Sequence, residues 1–270
     1  SIQHIDCLAK LVDSETIIIK QVPESSPEYA CIENFADSFY ELNTFYGRAF
    51  NIHRIYCPEI SAGPWEINPV AAYTNSLILN DKVLVPQYDI PEDGQALQAY
   101  RDAMPGYDVI GFNHAIGDPW YSEDALHCRT MGIFDPAMMH ISHKSIRNEE
   151  LINNVSIYVE VEIMDYNSDA DLQSVILNWK YSAEDGPFGE IVLETELSNL
   201  YTGTFPSLNL NSEIEYFITA TNSEGNVVSH PITGWHIFET LNSSLGDLNG
   251  DNSVNIQDIV LIVNLVLNNE

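Results

Sequence analysis

The first 140 residues of the chain alternate between strand-like and helix-like patterns of hydrophobic positions. Residues 16–22 (TIIIKQV) are a β-branched run, and residues 50–57 (FNIHRIYC) alternate apolar and polar side chains, as strands do. Residues 27–43, between them, carry apolar side chains at helical spacing after a Ser-Pro start. This stretch therefore predicts a strand, a helix and a second strand.

The same order of elements recurs further along the chain. Residues 76–87 predict a hairpin around a central Asn-Asp pair, residues 91–104 a helix with proline at its first position, and residues 107–113 a strand. A strand-strand-helix-strand order met about twice is typical of α/β modules. We therefore predict an α/β domain of ββαβ modules over residues 1–145.

A different pattern begins at about residue 145. Short alternating segments are separated by turn residues at roughly regular spacing, without helix signals. The segments are IYVEVEI, VILNWKY, EIVLETEL, YTGTF, EIEYFITATN and WHIFE. They predict a small all-β sandwich over residues 150–240.

The last segment, residues 245–270, combines an Asp/Asn-rich stretch with a run of apolar residues at helical spacing. Five side chains with oxygen ligands occupy positions 1, 3, 5, 9 and 12 of an EF-hand-like loop. They are Asp247, Asn249, Asp251, Asn255 and Asp258. The alternative is a turn that only caps the helix, but the register favours a structural Ca²⁺ site followed by a short helix.

Composition and charge narrow the range of functions. The chain has 270 residues, 45% of them hydrophobic, which is enough for a sizeable core and for two domains. Ten basic against forty acidic side chains give a net charge of −30, which argues against nucleic acid and anionic membranes as partners. The sequence has no apolar run long enough to span a membrane, about 18 residues.

Candidate catalytic residues are few. His4 and Asp6 are two apart, and in an extended segment they would project on one face. Cys128 could be a thiolate nucleophile with a distant histidine as its acid/base partner. Its neighbours His127 and Arg129 would point away from it in a strand, so we predict a structural role for both. Each of these features also has a common structural explanation, a hydrogen-bonding pair or a buried, inert thiol.

Three segments together resemble the guanidino-group-modifying enzymes, or penteins, and in particular the Porphyromonas-type bacterial peptidylarginine deiminases. They are HIDCLAKLV, AAYTNSLILNDKVLVPQY and ALHCRTMGIFDP, which occur in the family's order within about residues 1–145. The resemblance implies a partial pentein fan of ββαβ modules. It also implies hydrolytic deimination of arginine, in a peptide or protein and at its C-terminal end, to citrulline and ammonia without a cofactor.

The resemblance also assigns roles to four residues. Cys128 would attack the guanidinium carbon to form a covalent thiouronium, and His4 would protonate the departing ammonia and later activate water. Asp6 would hold the guanidinium by paired charged hydrogen bonds, and Asn75 would line the site. A thiolate whose pKa is lowered by a protonated histidine is the nucleophile this chemistry expects.

The chain departs from the family at its start. The family places a second guanidinium-binding aspartate, and arginines that bind the substrate's carboxylate, upstream of the His-x-Asp motif, whereas this chain begins three residues before His4. We therefore expect an incomplete fragment of the enzyme with little or no deiminase activity by itself.

The two C-terminal segments resemble modules of exported proteins. Residues 150–240 resemble the immunoglobulin-like domain that follows the catalytic domain in the Porphyromonas-type enzymes, and the final segment resembles one half of a dockerin. A dockerin needs two calcium segments to bind a cohesin, so a cohesin partner is not predicted. A calcium loop of this kind suits extracellular calcium levels, which predicts a secreted or cell-surface protein.

The sequence leaves three alternative functions. An agmatine deiminase or amidinotransferase acting on a small guanidine shares the fold. A non-catalytic secreted surface or adhesion protein would use the sandwich and the calcium segment alone. A papain-like hydrolase fits poorly, since its cysteine precedes its histidine in the chain, and here His4 precedes Cys128.

Overall fold

The computed structural model describes residues 4–60, 69–121, 124–148, 158–166, 170–197, 199–209, 211–240 and 255–267. The chain divides into two compact units, Ser1–Phe134 and Asp135–Glu270. Among the described residues, no helix has the length and apolar character needed to cross a membrane.

The N-terminal unit contains two modules with the same order of elements. The first consists of β1 (Ala9–Leu11), β2 (Thr16–Gln21), α1 (Tyr29–Tyr40) and β3 (Asn51–Tyr56). The second consists of β4 (Leu77–Leu79), β5 (Lys82–Gln87), α2 (Asp93–Ala103) and β6 (Asp108–Asn113). In each module the first two strands are antiparallel and the third runs parallel to the second. The predicted ββαβ repeat is confirmed for both.

One hydrophobic core joins the two modules. Its buried side chains come from both helices and from β2, β3, β5 and β6, so apolar faces of both three-stranded sheets are removed from water together. They include Ile18, Ile55, Val83, Val85 and Tyr100. Since apolar burial is the main favourable term in folding, the two modules stabilise each other.

The start of α2 differs from the sequence prediction. The helix begins at Asp93, and Pro91 precedes its N-cap residue Glu92 instead of occupying the first helical position. The Asp93 carboxylate accepts hydrogen bonds from the backbone N–H groups of Tyr88 (3.1 Å) and Ile90 (3.2 Å), which folds the chain back just before the helix. The acid, not the proline, thus fixes the beginning of the helix.

Asp93 also supports the segment that leads to the candidate site. The hydroxyl of Tyr73, a fully buried side chain, donates to Asp93 Oδ1 at 2.7 Å.

Asp93→Ala is expected to destabilise the N-terminal unit by about 2–4 kcal/mol, because a buried phenol and two backbone amides lose this acceptor. Cys57 is fully buried in the same core, so it reacts with a short pulse of alkylating reagent only when the unit unfolds. Its alkylation at increasing urea concentrations therefore gives the midpoint of unfolding. The matched control is Asp37→Ala on the exposed side of α1, which should change stability by less than about 0.5 kcal/mol; equal midpoints for the two variants would contradict the prediction.

The C-terminal unit is built from nine described strands. They are β7 (Met139–His143), β8 (Tyr158–Asp165), β9 (Leu172–Tyr181), β10 (Gly189–Val192), β11 (Glu194–Leu197), β12 (Leu200–Thr204), β13 (Glu213–Asn222), β14 (Val227–His230) and β15 (His236–Glu239). One antiparallel sheet has the order β10-β9-β13-β14 with β15 also on β13, and the other has the order β11-β12-β8-β7. Both sheets contribute to one core. The all-β character agrees with the prediction, while the immunoglobulin-like relationship stays a prediction.

One predicted strand is two strands in the structure. The sequence EIVLETEL predicts a continuous element, but β10 pairs with β9 in one sheet and β11 pairs with β12 in the other. Leu193, between them, is buried, and its N–H donates to Val175 O at 2.9 Å. A Cβ at Gly203, on β12, would lie 2.4 Å from Leu193 Cδ2, so a larger residue there would force the Leu193 side chain to move.

The division between the two units lies earlier than the predicted domain boundary. Strand β7 falls within residues 1–145, yet it pairs antiparallel with β8 and belongs to the second unit, which begins at Asp135. The assignment of functional domains stays a prediction.

The C-terminal helix α3 spans Ile256–Leu267. At its start Asn255 Oδ1 accepts the N–H of Gln257, and Asp258 Oδ2 accepts the N–H of Asn255, each at 2.8 Å. This reciprocal arrangement is a capping box. The other three proposed calcium ligands, Asp247, Asn249 and Asp251, lie outside the described residues, so the calcium site stays a prediction.

Candidate active site

The structure brings four of the predicted site residues together in the N-terminal unit. Cys128 Sγ lies 3.7 Å from His4 Nδ1 and 3.5 Å from Asp6 Oδ2. Asn75 Nδ2 donates to Cys128 Sγ at 3.0 Å and to Asp6 Oδ2 at 2.8 Å. A thiol, an imidazole, a carboxylate and a carboxamide from three distant segments thus share one small volume.

Asn75 organises the segment that carries the thiol. Its side chain is fully buried, and Oδ1 accepts the backbone N–H groups of Ala125 and Cys128 at 3.2 Å each. Its carbonyl oxygen accepts the N–H of His127 at 3.1 Å. A single side chain therefore fixes both the backbone of residues 125–128 and the Cys128 sulfur.

The local structure around His4 and Asp6 differs from the prediction. Residues Ile5–Cys7 form a 3₁₀ turn and not an extended segment, with the Cys7 N–H donating to His4 O at 3.1 Å. The buried side chain of Cys7 anchors this turn. His4 and Asp6 converge because the chain turns, and not because they share one face of a strand.

The prediction for His127 is wrong. It assumed a strand, but residues His127–Arg129 form a 3₁₀ turn, and His127 Nδ1 lies 2.6 Å from Asp6 Oδ2. His127 therefore belongs to the site as a partner of the carboxylate. Arg129 has the structural contacts expected of it: its guanidinium donates to Asp118 at 3.0 Å and stacks on Trp120, 4.9 Å from the ring centroid.

Asp6 is held in its charged form. Burial by itself raises the pKa of this carboxyl, but hydrogen bonds from His127 and Cys128, with the positive charges of His127 and Lys10, lower the pKa overall. A carboxylate that stays ionised and is oriented by three neighbours suits the binding of a small cation.

The Cys128 thiol does not have the lowered pKa that the sequence predicted. Burial raises its pKa, the hydrogen bond from Asn75 acts in the opposite direction, and the negative charges of Asp6 and Asp124 raise it further. The net shift is upward. The expectation of a pre-formed thiolate is therefore wrong for this chain, because burial, the largest contribution, together with the nearby carboxylates outweighs the hydrogen bond from Asn75.

Lys10, on β1, adds a cation to the surroundings of the site. Its side chain is buried, and Nζ donates to Ser76 O at 2.6 Å. Burial lowers the pKa of Lys10 to about 8, while the negative charges of Asp6 and Cys128 act against this shift. The neighbouring Cys7 is a thiol at neutral pH, since burial raises its pKa to about 12.

The raised pKa of Cys128 predicts the pH dependence of its alkylation. In the folded chain, the rate with the neutral reagent iodoacetamide should keep rising above pH 9, because the thiolate, not the thiol, reacts. In concentrated urea the alkylation rate of the same cysteine should level off at lower pH, because the thiol of an unfolded chain has its ordinary pKa of about 8.5. Peptide mass spectrometry measures both curves. A folded-state curve that saturates before the unfolded one would contradict the prediction.

The class of protein follows from a comparison with known families. Residues 2–133 match the sequence profile of the Porphyromonas-type peptidyl-arginine deiminase family, and this range contains His4, Asp6, Asn75 and Cys128. The N-terminal unit is therefore related to the guanidino-group deiminases, which are hydrolases acting on C–N bonds.

Two curated relatives carry the same name. Proteins of Enterococcus faecalis and Lactococcus lactis, both provisionally named agmatine deiminases, are each 26% identical over 144 residues, which is 47% of this chain and 39% of each relative. The chain thus spans about two fifths of the length of these curated relatives.

Solved structures of proteins named as deiminases are similar to about half of this chain. A provisionally named peptidyl-arginine deiminase has 24% identity and a TM-score of 0.43, covering 49% of this chain and 39% of that one. An agmatine deiminase of Enterococcus faecalis has 23% identity and a TM-score of 0.41, with 46% and 38% covered. A provisionally named arginine deiminase of Porphyromonas gingivalis has 27% identity and a TM-score of 0.39, with 46% and 36% covered.

Proposed function

We propose that this chain carries the nucleophile of a guanidino-group deiminase. The substrate of this enzyme is arginine, in particular the C-terminal arginine of a peptide or protein, and the products are citrulline and ammonia. The observation that carries the proposal is the position of the Cys128 sulfur, within 3.7 Å of the His4 imidazole and 3.5 Å of the Asp6 carboxylate. These are a nucleophile, an acid/base and a counter-ion for a cationic substrate.

The raised pKa of the thiol fits this chemistry when the substrate is a cation. Asp6 is one of the groups that raise the pKa of Cys128. A guanidinium bound to Asp6 offsets that negative charge, so the thiol becomes easier to deprotonate when the substrate arrives. The nucleophile is then generated in the complex and not in the free chain.

The steps balance with this chain's residues. The Cys128 proton passes to His4, and the thiolate attacks the guanidinium carbon to form a tetrahedral adduct. The carbon–nitrogen bond breaks, His4 returns the proton to the departing ammonia, and a thiouronium remains. His4 then takes a proton from water, whose oxygen attacks the same carbon. The carbon–sulfur bond breaks as the adduct's hydroxyl loses its proton to solvent, where ammonia takes it up, and this releases citrulline and, with the proton from His4, the thiol.

The alternative within the fold is a small guanidine such as agmatine. The family profile carries the peptidyl-arginine name and the curated relatives carry the agmatine name, so the comparisons favour the two substrates about equally. The alternative from another class is a non-catalytic secreted surface or adhesion protein. In such a protein, Cys128 would react with arginine mimics no faster than an ordinary exposed cysteine.

Labelling with a haloacetamidine, a cationic arginine mimic, tests the proposal. We expect Cys128 to react at least about tenfold faster than the exposed Cys31, since a bound and oriented cation is held against the sulfur. An excess of a peptide ending in arginine, or of agmatine, should slow labelling of Cys128 alone, and the more protective compound identifies the substrate class. Equal rates at the two cysteines would favour the non-catalytic alternative. Cys128→Ala is the control for peptide assignment.

The isolated chain is expected to release little or no citrulline. Asp6 lies 3.5 Å from the Cys128 sulfur, whereas the family that the sequence resembles holds the guanidinium between this aspartate and a second one placed upstream of the His-x-Asp motif. A colorimetric citrulline assay with an arginine-terminated peptide measures this. Robust turnover that disappears in Cys128→Ala would refute the expectation.

We further propose export to the exterior or cell surface and one structural Ca²⁺ ion at the Asp247–Asp258 loop, with no cofactor needed for the proposed hydrolysis. The support is the register of oxygen side chains in the sequence. Circular dichroism with millimolar calcium and with a chelator tests the ion: a calcium-dependent gain of helix supports it, and identical spectra contradict it.

A further inference from the structure

The donor atoms around Cys128 have the spacing of ligands on a tetrahedral metal ion. A ring nitrogen of His4, one Asp6 carboxylate oxygen and Cys128 Sγ all lie within 4.8 Å of one another, and Sγ is 3.7 Å from His4 Nδ1. On tetrahedral zinc, with bonds of about 2.0–2.3 Å, neighbouring donor atoms lie about 3.3–3.8 Å apart. Small side-chain adjustments would therefore bring these three atoms onto one ion.

The kind of donor selects the kind of ion. One thiolate sulfur, one imidazole nitrogen and one carboxylate oxygen match the preferences of zinc. Calcium and magnesium instead require six or more oxygen ligands, or several retained waters. The cluster is thus suited to a borderline-soft cation.

Neighbouring groups hold the ligands in place. Asn75 Nδ2 and His127 Nδ1 both contact Asp6 Oδ2, at 2.8 and 2.6 Å, so the carboxylate has the outer-shell support that metal ligands usually have. His4 is exposed, which gives an ion direct entry from solvent.

We propose that His4, Asp6 and Cys128 form a zinc site that blocks the thiol. The ion takes the three side chains as ligands and keeps a water in the fourth position. As the zinc–sulfur bond forms, the Cys128 proton is released to solvent, with no change in oxidation state. Zinc and a guanidinium then compete for Asp6 and Cys128. The site does not depend on deimination, so it stands or falls separately from the proposed function.

Cobalt(II) is the direct probe, since a thiolate ligand produces a charge-transfer band in the near ultraviolet. The full chain is titrated with cobalt in millimolar calcium, which fills sites made of carboxylates only. We expect a band that saturates at one cobalt per chain and is displaced by zinc. Cys128→Ser should abolish it, and His4→Ala should weaken cobalt binding by about tenfold or more, since one of three protein ligands is lost. Cys31→Ser is the matched control and should keep the band.

The opposite outcomes overturn the proposal. They are no charge-transfer band, a band that survives Cys128→Ser, or unchanged affinity in His4→Ala. Zinc should also protect Cys128 from iodoacetamide in the unmodified chain, with Cys31 as the internal reference, so the result does not depend on the folding of a variant. Haloacetamidine labelling in the presence of a chelator reports on the proposed enzyme function separately.

Discussion

Asp6→Asn is expected to change the reactivity of Cys128 in opposite directions toward a neutral and a cationic reagent. The Asp6 carboxylate raises the pKa of the thiol, so its removal should speed alkylation by iodoacetamide at neutral pH, by about three- to tenfold. The same carboxylate would hold an amidinium, and a charged hydrogen bond is worth about 1.5–3 kcal/mol, so labelling by a haloacetamidine should slow by about 10- to 100-fold.

The opposite signs separate an electrostatic role from a general loosening of the site. Asp81→Asn is the matched control, because this exposed carboxylate lies on the β4–β5 turn and pairs with Lys82 at 2.9 Å. It should leave both rates unchanged. If Asp6→Asn moved both rates in the same direction, the assignment of Asp6 as the counter-ion for a cationic substrate would be wrong.

Asn75→Ala is expected to dismantle the site and to destabilise the N-terminal unit by about 3–5 kcal/mol, since several buried hydrogen bonds lose a partner at once. The amide groups of Ala125 and Cys128 lose their acceptor, and Asp6 and the Cys128 sulfur lose a donor. Water cannot readily replace the amide, because Asn75 is fully buried. The loss of stability is measured by the urea concentration at which Cys57 becomes open to alkylation. The loss of the site is measured by the rate of haloacetamidine labelling at Cys128.

The C-terminal unit offers a matched control for this variant. Asn222 is also fully buried, donates to Asp165 at 3.1 Å, and accepts the N–H groups of Glu224 and Asn226. Asn222→Ala should lower the melting temperature of its own unit, followed by circular dichroism, and leave Cys128 labelling unchanged. Normal labelling in Asn75→Ala, or lost labelling in Asn222→Ala, would contradict the assigned role of Asn75.

The hydrophobic pattern was sufficient to predict both long helices and most strands of the N-terminal unit, but it did not predict β1 or the two 3₁₀ turns that carry site residues. Strands β2, β3, β5 and β6 follow from β-branched or alternating runs, whose period is set by the strand itself. The split between β10 and β11 could not be predicted, because it depends on Leu193 fitting over Gly203, a residue beyond the end of β11.

The residues of the candidate site were also only partly predictable from the sequence. The motif resemblance found four of its residues, but His127 was missed, because the turn that aims it at Asp6 is held by Asn75, 53 positions before Cys128 in the chain. The pKa of Cys128 was predicted in the wrong direction for a related reason. The sum of burial, an amide donor and two carboxylates depends on distances that a sequence does not contain.

The contact between Lys10 and the Ser76 carbonyl joins β1 of the first module to the segment entering β4 of the second. Asp6 comes from the chain before the first module, Asn75 from the link between the modules, and Cys128 from beyond the second. The reactive geometry therefore belongs to a single cooperative foldon. If one module separates from the other, the site is lost. The site therefore lasts as long as the whole unit stays folded, and not only as long as one loop keeps its conformation.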